Sequence, residues 1–203
     1  MKIALIGATG NMGQRLTKEA TSRGHEVTAI SRNPDPEKTP GAAGVACDLH
    51  DEDKLAGLIK GHDAVILSVR FQDTDIAKVV WAMRKAGLKR IAVVGGAASL
   101  MNQDNIRLID TPGFPDFIAV EARPAANALD WMRKEAGDLD WAFVSPSMML
   151  GPGERTGKFR KGKHHLLTAD DGKSSISYED LSVAILDELE NPTVHGDRFT
   201  VGY

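Results

Sequence analysis

Residues 3–13, IALIGATGNMG, decide the fold of this chain. The first four form a short apolar run that is typical of a buried strand. The segment that follows, residues 14–23, has Leu16 and Ala20 four positions apart, as on one face of a helix. Glycines occupy the junction between the strand and the helix. This order predicts the first βα unit of a parallel sheet.

The glycines at this junction have separate roles. Gly7 permits a tight turn, Gly10 lets backbone N–H groups approach a pyrophosphate, and Gly13 lets the helix pack closely on the strand. The helix N-terminus adds unpaired N–H donors and a partial positive charge. The alternative is that the glycines only shorten a turn. We predict that residues 7–13 bind the phosphates of a dinucleotide, with Thr9, Asn11 and Met12 as further contacts.

The same alternation of apolar runs and helical segments continues along the chain. It predicts strands at 27–30, 44–47, 64–69, 91–94, 141–144 and 199–201, and helices at 52–59, 76–86, 117–134 and 178–189. Pro124 stands either in the first turn of its helix or at a kink. Trp81, Trp131 and Trp141 lie in apolar patterns and are expected in the core. The pattern predicts an α/β fold, a Rossmann-type doubly wound parallel sheet with a small C-terminal substrate region.

Composition narrows the class of protein. The 203 residues are 42% hydrophobic with a net charge of −3, which predicts one globular domain over 1–203 with no general attraction to nucleic acid. We expect the cofactor part at about 1–110 and substrate-side elements at about 95–118 and 145–178. The lone Cys47, the absence of metal-ligand spacing and the lack of a signal or membrane segment predict a cytoplasmic protein without a metal site.

The end of the second predicted strand indicates which dinucleotide binds. An NAD site usually has an acidic residue there for the ribose 2′-hydroxyl, but this chain has Ser31 and Arg32. A guanidinium suits a 2′-phosphate, and the serine adds a neutral donor. The alternative is an exposed arginine without a ligand. We predict NADP(H), with NAD(H) kept as the alternative.

Residues 95–116 form a long stretch with no clear helical or strand pattern. Loops of this length are uncommon in compact domains and are usually functional. Its middle, residues 101–110, could also form a small hairpin. The segment at 155–165 concentrates basic residues, which could bind a flavin phosphate or an acidic substrate, or could be a solvated loop.

The glycine spacing GxxGxxG resembles the short-chain dehydrogenase/reductase superfamily, especially its extended and atypical branches. Typical members use a Tyr-x-x-x-Lys pair for proton transfer. Here Tyr178 is followed four residues later by Ser182, Tyr203 follows the last predicted strand, and the helix that should hold the pair reads FIAVEARP at 117–124. This argues against alcohol dehydrogenation and sugar epimerisation. It still permits hydride transfer to a flavin, which can take its second proton from solvent.

Several further stretches narrow the resemblance. They are VVGGAASL at 93–100, DW at 140–141, FVSP at 143–146, GPGERTG at 151–157, ISYED at 176–180 and RFTVGY at 198–203. With the glycine loop, they make the chain similar to NAD(P)H-binding proteins described as NADH-flavin reductases. That branch is related to flavin reductase/biliverdin reductase and to NmrA-like regulators.

The resemblance also implies roles for individual residues. Asp48 would contact the adenine, and Ser99 would be the serine near the nicotinamide, which makes it the candidate catalytic residue. The other residues implied along the cofactor are Leu49, Ser68, Val69, Arg70, Gly95, Gly96, Ser145, Pro146 and Ser147.

These observations predict an NADPH-dependent oxidoreductase that passes hydride to a flavin (FMN, FAD or riboflavin) or a similar planar acceptor. Its partner is a small molecule rather than nucleic acid or membrane, and it is expected to be a monomer or homodimer. The alternative is a non-catalytic NADP(H) sensor of the NmrA-like kind. A redox-neutral isomerase or dehydratase is a third hypothesis, and it would need an acid/base pair that the sequence does not show.

Overall fold

An eight-stranded sheet forms the centre of the protein, seen here in a computed structural model that describes all 203 residues. In spatial order its seven parallel strands are β3 (Ala43–Ala46), β2 (Glu26–Ser31), β1 (Lys2–Ile6), β4 (Ala64–Leu67), β5 (Arg90–Val94), β6 (Asp140–Pro146) and β10 (Asp197–Gly202). At the edge, β8 (Arg160–Gly162) pairs antiparallel with β10. A separate parallel pair joins β7 (Met149–Gly151) to β9 (Ser175–Ser177). The predicted doubly wound parallel sheet is confirmed.

Five helices cover the two faces of this sheet: α1 (Asn11–Ser22), α2 (Glu52–Ile59), α3 (Ile76–Ala86), α4 (Asp116–Glu135) and α5 (Tyr178–Glu190). Strand side chains alternate between the faces. Ile3 and Leu5 belong to the core beneath α1 and α5, whereas Ala4 and Ile6 belong to the core beneath α2, α3 and α4. None of the helices combines the length and the apolar character needed to cross a bilayer.

Some element boundaries differ from the sequence-based prediction. Helix α1 begins at Asn11 and not at position 14, so Gly13 lies in its first turn. Strand β6 continues to Pro146, because its last residues pair with β10. Pro124 lies inside α4, which begins eight residues earlier, so the option of a helix starting at the proline is wrong. The short strands β7, β8 and β9 were not predicted, since three residues give no periodicity.

The tryptophan prediction needs one correction. Trp141 is buried and Trp131 packs against the core, but Trp81 is 41% exposed. It lies on the outer side of α3, where the ammonium of Lys85 sits 4.8 Å from the centre of its ring. A cation over an aromatic face is stabilising at such an exposed site.

The long segment after β5 is more ordered than its sequence suggests. It contains two 3-10 turns, Ala97–Ser99 and Leu108–Asp110. Between them, Met101 forms an antiparallel bridge to Arg107 and a parallel bridge to His165. The small hairpin considered for residues 101–110 is therefore present. It ties this segment to the chain between β8 and β9.

A buried carboxylate fixes the C-terminal end of α5. Glu188 is fully buried and accepts hydrogen bonds from Arg90 Nη2 at 2.9 Å, from Thr193 N at 2.8 Å and Oγ1 at 2.6 Å, and from Val194 N at 2.8 Å. Burial alone would raise the pKa of Glu188, but these hydrogen bonds lower it overall.

We expect Glu188→Gln to lower the free energy of unfolding by about 2 kcal/mol, because the amide cannot accept all four bonds. Urea unfolding at pH 7 measures this, with the exposed Glu37→Gln as the control. The pKa of Glu188 is lowered in the fold, so its stabilisation is present above the usual glutamate range and is lost as the pH falls through the lowered pKa. The two proteins should converge in acid. A difference that persists unchanged in acid would contradict this account.

Candidate functional site

The loop between β1 and α1 is held in a shape that only glycine permits at two positions. Gly7 has φ +83°, and a Cβ there would lie 1.9 Å from the carbonyl oxygen of Ser68. A Cβ on Gly13 would lie 2.2 Å from the carbonyl oxygen of Gly7. These contacts pack the loop against the end of β4 and against α1. The roles predicted for Gly7 and Gly13 in turning and packing match this geometry.

Gly10 differs from its two neighbours. It is the N-cap residue of α1, has extended backbone (φ −72°, ψ 167°), and is exposed. A Cβ there would meet only the carbonyl oxygen of Gly7, at 3.4 Å. No atom of the protein therefore requires glycine at this position. The open side of Gly10, at the positive end of α1, is where an approaching pyrophosphate would need room.

The other predicted loop residues offer mainly their backbone. The Met12 side chain is buried in the core, Asn11 is exposed, and the Thr9 carbonyl accepts a 3.0 Å hydrogen bond from Gln14 Nε2. Helix α1 has no acidic residue in its first turn. Its N–H groups are left available to an anion.

The end of β2 presents two polar groups without partners. The Ser31 hydroxyl is buried and makes no hydrogen bond. Arg32 is exposed and forms no ion pair or side-chain hydrogen bond, unlike most arginines of this chain. Buried polar groups are nearly always hydrogen-bonded, so an unpartnered hydroxyl beside a free guanidinium is the feature expected of a ligand-binding position.

Asp48 and Leu49 lie beside this position, after β3. The backbone N–H of Cys47 donates to the Ser31 carbonyl at 2.9 Å, which brings the two strand ends together. Asp48 is exposed, and its Oδ1 accepts from His50 N at 2.9 Å, while Leu49 packs against the core. An adenine contact by Asp48 stays a prediction.

A cavity of about 290 Å³ opens between the ends of β4 and β5 and helix α4. The cavity lies next to the glycine loop. A Cβ on Gly7 would lie 3.1 Å from Cγ1 of Val69, and Val69 lines the cavity. The predicted residues Val69, Arg70, Gly95 and Gly96 line it together. Gly95 is required here, since a Cβ would lie 1.9 Å from the ring of Phe143. Ligands of open α/β sheets bind in this position, outside the carboxyl ends of the strands.

Helix α4 supplies one wall of this cavity that the sequence analysis did not assign. Its lining residues are Ile118, Glu121, Ala122 and Ala125, which follow the i, i+3, i+4, i+7 spacing of one helix face. Phe71, Gln72 and Val94 complete the lining. That spacing is a sequence signal that could have identified the wall. No tyrosine or lysine lines the cavity, so a phenol for proton exchange is absent from it.

The serines predicted near the nicotinamide lie below the surface. Ser99 is buried, and its Oγ and carbonyl oxygen accept hydrogen bonds from Arg198 Nη1 at 3.0 and 2.7 Å. Ser145 is fully buried with its Oγ 3.4 Å from that of Ser99, and the Ser147 hydroxyl donates to Val201 O at 3.0 Å. Pro146 lies within β6. The structure groups these residues but uses their hydroxyls internally, so the catalytic role of Ser99 stays a prediction.

Arg198 is a further functional candidate, although its sequence context predicts no individual role for it. Its side chain is fully buried in β10 and has no carboxylate partner. Burial lowers the pKa of Arg198 to about 10, because desolvation disfavours the charged form. The guanidinium holds Ser99 in place from a strand 99 residues away in sequence.

A second cavity, of about 550 Å³, lies beside the pair β7 and β9 and is lined partly by residues 151–154 and by Tyr203. The Tyr203 hydroxyl bonds to Ser177 Oγ and to Asp180 Oδ2, both at 2.9 Å. Burial is the main cause that raises the pKa of Tyr203. The neighbouring basic segment is partly structural, because Arg155 forms two 2.7 Å hydrogen bonds with the buried Glu19. No group of three His, Cys, Asp or Glu side chains is placed to hold a metal ion.

Comparison with known proteins agrees with this geometry. A protein family described as NAD(P)H-binding matches residues 7–192. The uncharacterized protein YwnB of Bacillus subtilis is 36% identical over 99% of this chain and 98% of its own length. A candidate epimerase from Bacteroides thetaiotaomicron has a structure with TM-score 0.91 and 38% identity, covering 100% of this chain and 96% of that one. The structure of a candidate NADH-flavin reductase from Streptococcus pneumoniae has a TM-score of 0.86 and 33% sequence identity, and the match covers 100% of this chain and 99% of that one.

Proposed function

Because the chain belongs to the NAD(P)H-binding family, we propose that it is an oxidoreductase that prefers NADPH and transfers hydride to a flavin or a similar planar acceptor. The observation that carries the proposal is the cavity at the carboxyl ends of β4 and β5. It adjoins the glycine loop, has mainly apolar walls and contains no tyrosine or lysine.

The cofactor half of the proposal is supported by groups that have no partner within the protein. The Ser31 hydroxyl is buried and unpartnered, the Arg32 guanidinium is free, and Gly10 leaves the N-terminus of α1 open. Arg32 and Ser31 would hold the 2′-phosphate, and the N–H groups of α1 would hold the pyrophosphate. Bound NADPH supplies the hydride, and the protein supplies its position.

The acceptor half is supported by the chemistry of the cavity walls. Val69, Phe71, Val94 and Ile118 offer apolar surface that suits a planar ring. Reduction of a carbonyl needs a positioned acid, whereas a reduced flavin can take a proton from water. An apolar cavity without a phenol therefore favours a flavin over an alcohol or sugar, including the substrate class of an epimerase.

The test is NADPH oxidation followed by absorbance at 340 nm, with FMN as acceptor and with NADH as the parallel donor. We expect the protein to accelerate the reaction by at least about tenfold over FMN alone, and NADPH to be the better donor. Gly10→Val is the matched inactive control. No acceleration in a sample that binds NADPH would overturn the reductase assignment.

That outcome would favour the second candidate function, a non-catalytic NADP(H) sensor. One observation supports it: the hydroxyls of Ser99, Ser145 and Ser147 are committed to bonds or close contacts within the fold. A sensor needs only the cofactor half of the site. Binding of NADPH without turnover is its expected behaviour.

A further inference from the structure

Two charged side chains face each other at the cavity between β4, β5 and α4. Arg70 follows β4, and Glu121 lies on α4; Arg70 Nη2 is 3.3 Å from Glu121 Oε1. They are the charged residues among those that line this cavity, whose other walls are apolar or formed by glycine, apart from Gln72. Arg70 and Glu121 therefore supply the charged groups of this cavity.

This ion pair is easily exchanged. Arg70 is 76% exposed and Glu121 is 61% exposed, and neither side chain has another ion pair or hydrogen bond. Exposed pairs contribute little to stability, because water screens them and ordering two long side chains costs entropy. Arg155 differs from Arg70 in this respect, because it donates two hydrogen bonds to the buried Glu19. An anion at the opening could take the place of Glu121 at little cost.

We propose that Arg70 recognises an anionic group of the acceptor and that Glu121 is a built-in competitor for the same guanidinium. The inference rests on the proposed function and adds an acceptor class to it: planar molecules with a phosphate, such as FMN, over uncharged ones such as riboflavin. Arg70 and Glu121 are then specificity-determining residues. Arginine suits this role because its planar fork matches a phosphate.

The experiment titrates FMN or riboflavin, by quenching of flavin fluorescence, into protein saturated with NADP⁺. Glu121→Gln should lower the Kd for FMN by about threefold, since it removes the competitor. Arg70→Gln should raise that Kd by about tenfold. The Kd for riboflavin should change by less than about 1.5-fold in both, and in the Arg70→Gln background Glu121→Gln should have no effect. Added salt should reduce the preference for FMN.

Two controls test whether a change in FMN affinity arises at Arg70 and Glu121, and not from the net charge of the protein or from the binding of the cofactor. Glu135→Gln removes one negative charge from an exposed position at the other end of α4 and should leave both flavin affinities unchanged. Titration of NADPH into each variant tests whether Arg70 instead binds a phosphate of the cofactor. A shift in the Kd of NADPH that equals the shift for FMN would overturn the proposal.

The proposal and the proposed function can fail separately. If FMN and riboflavin respond alike to both substitutions while NADPH oxidation proceeds, the charge selection is wrong and the reductase assignment stands. If FMN is preferred and the variants behave as expected but no hydride is transferred, the phosphate recognition stands and the reductase assignment is wrong. Binding of neither flavin overturns both.

Discussion

Gly10→Val is expected to raise the Kd for NADPH by about 1000-fold while the protein stays folded. The valine side chain would project from the N-cap of α1 into the space that the pyrophosphate needs. Its Cβ meets only one protein atom, at 3.4 Å, and the backbone there is extended, a conformation that valine adopts readily. The side chain blocks the ligand without displacing the protein.

Measurement requires both affinity and stability. Fluorescence titration of NADPH gives the Kd, and thermal unfolding should show a fall of only a few degrees, since the change at an N-cap costs about 1 kcal/mol. Gly57→Val on the exposed side of α2, where a Cβ meets nothing within 4 Å, is the matched control and should bind normally. Gly13→Val should instead prevent folding, because of its 2.2 Å clash. Near-normal affinity in folded Gly10→Val would show that the phosphates bind elsewhere.

Arg32→Glu is expected to raise the Kd for NADPH by about 100-fold and that for NADH by no more than about threefold. The substitution removes a cation that has no partner in the protein and puts a negative charge beside the place of the 2′-phosphate. Since Arg32 forms no ion pair, its loss should not change stability. The effect should therefore appear in the ratio of the two affinities.

Paired titrations of NADPH and NADH at one salt concentration measure this ratio. Lys60→Glu makes the same change of charge at the C-cap of α2 and should leave the ratio unaltered. If Arg32→Glu raises the Kd for NADPH and the Kd for NADH equally, the guanidinium does not bind the 2′-phosphate, and the proposed preference for NADPH is wrong.

Sequence patterns were sufficient for the seven parallel strands of the main sheet and for the glycine loop, because both are encoded locally. Each buried strand is a run of apolar residues between turn residues, and Gly7 and Gly13 stand at fixed positions after the first of them. The relation to NAD(P)H-binding reductases, expected from the same motifs, is confirmed by the family match and by the Streptococcus relative. Strands β6 and β10 are longer than predicted because they pair with each other, whereas β4 is two residues shorter and helix α1 begins three residues earlier than predicted.

The contacts that Arg198 and Arg70 make in the site could not be predicted from the sequence, because they depend on packing between distant segments. Nothing near Arg198 in the sequence indicates that it reaches Ser99 across 99 residues. The meeting of Arg70 with Glu121 depends on where α4 lies over β4 and β5. Burial of Ser99 and Ser145 likewise follows from the closing of β10 against β6.

The position of β10 has a consequence for how the chain folds. This strand comes last in the chain order but lies inside the sheet, between β6 and β8, and it supplies Phe199 and Val201 to one core. Its pairing with β6 joins residues more than fifty positions apart, such as Arg198 and Phe143. Contacts of this kind form slowly, because a long loop must close first. During synthesis, the edge of β6 that pairs with β10 therefore stays unpaired until residues 197–202 have left the ribosome.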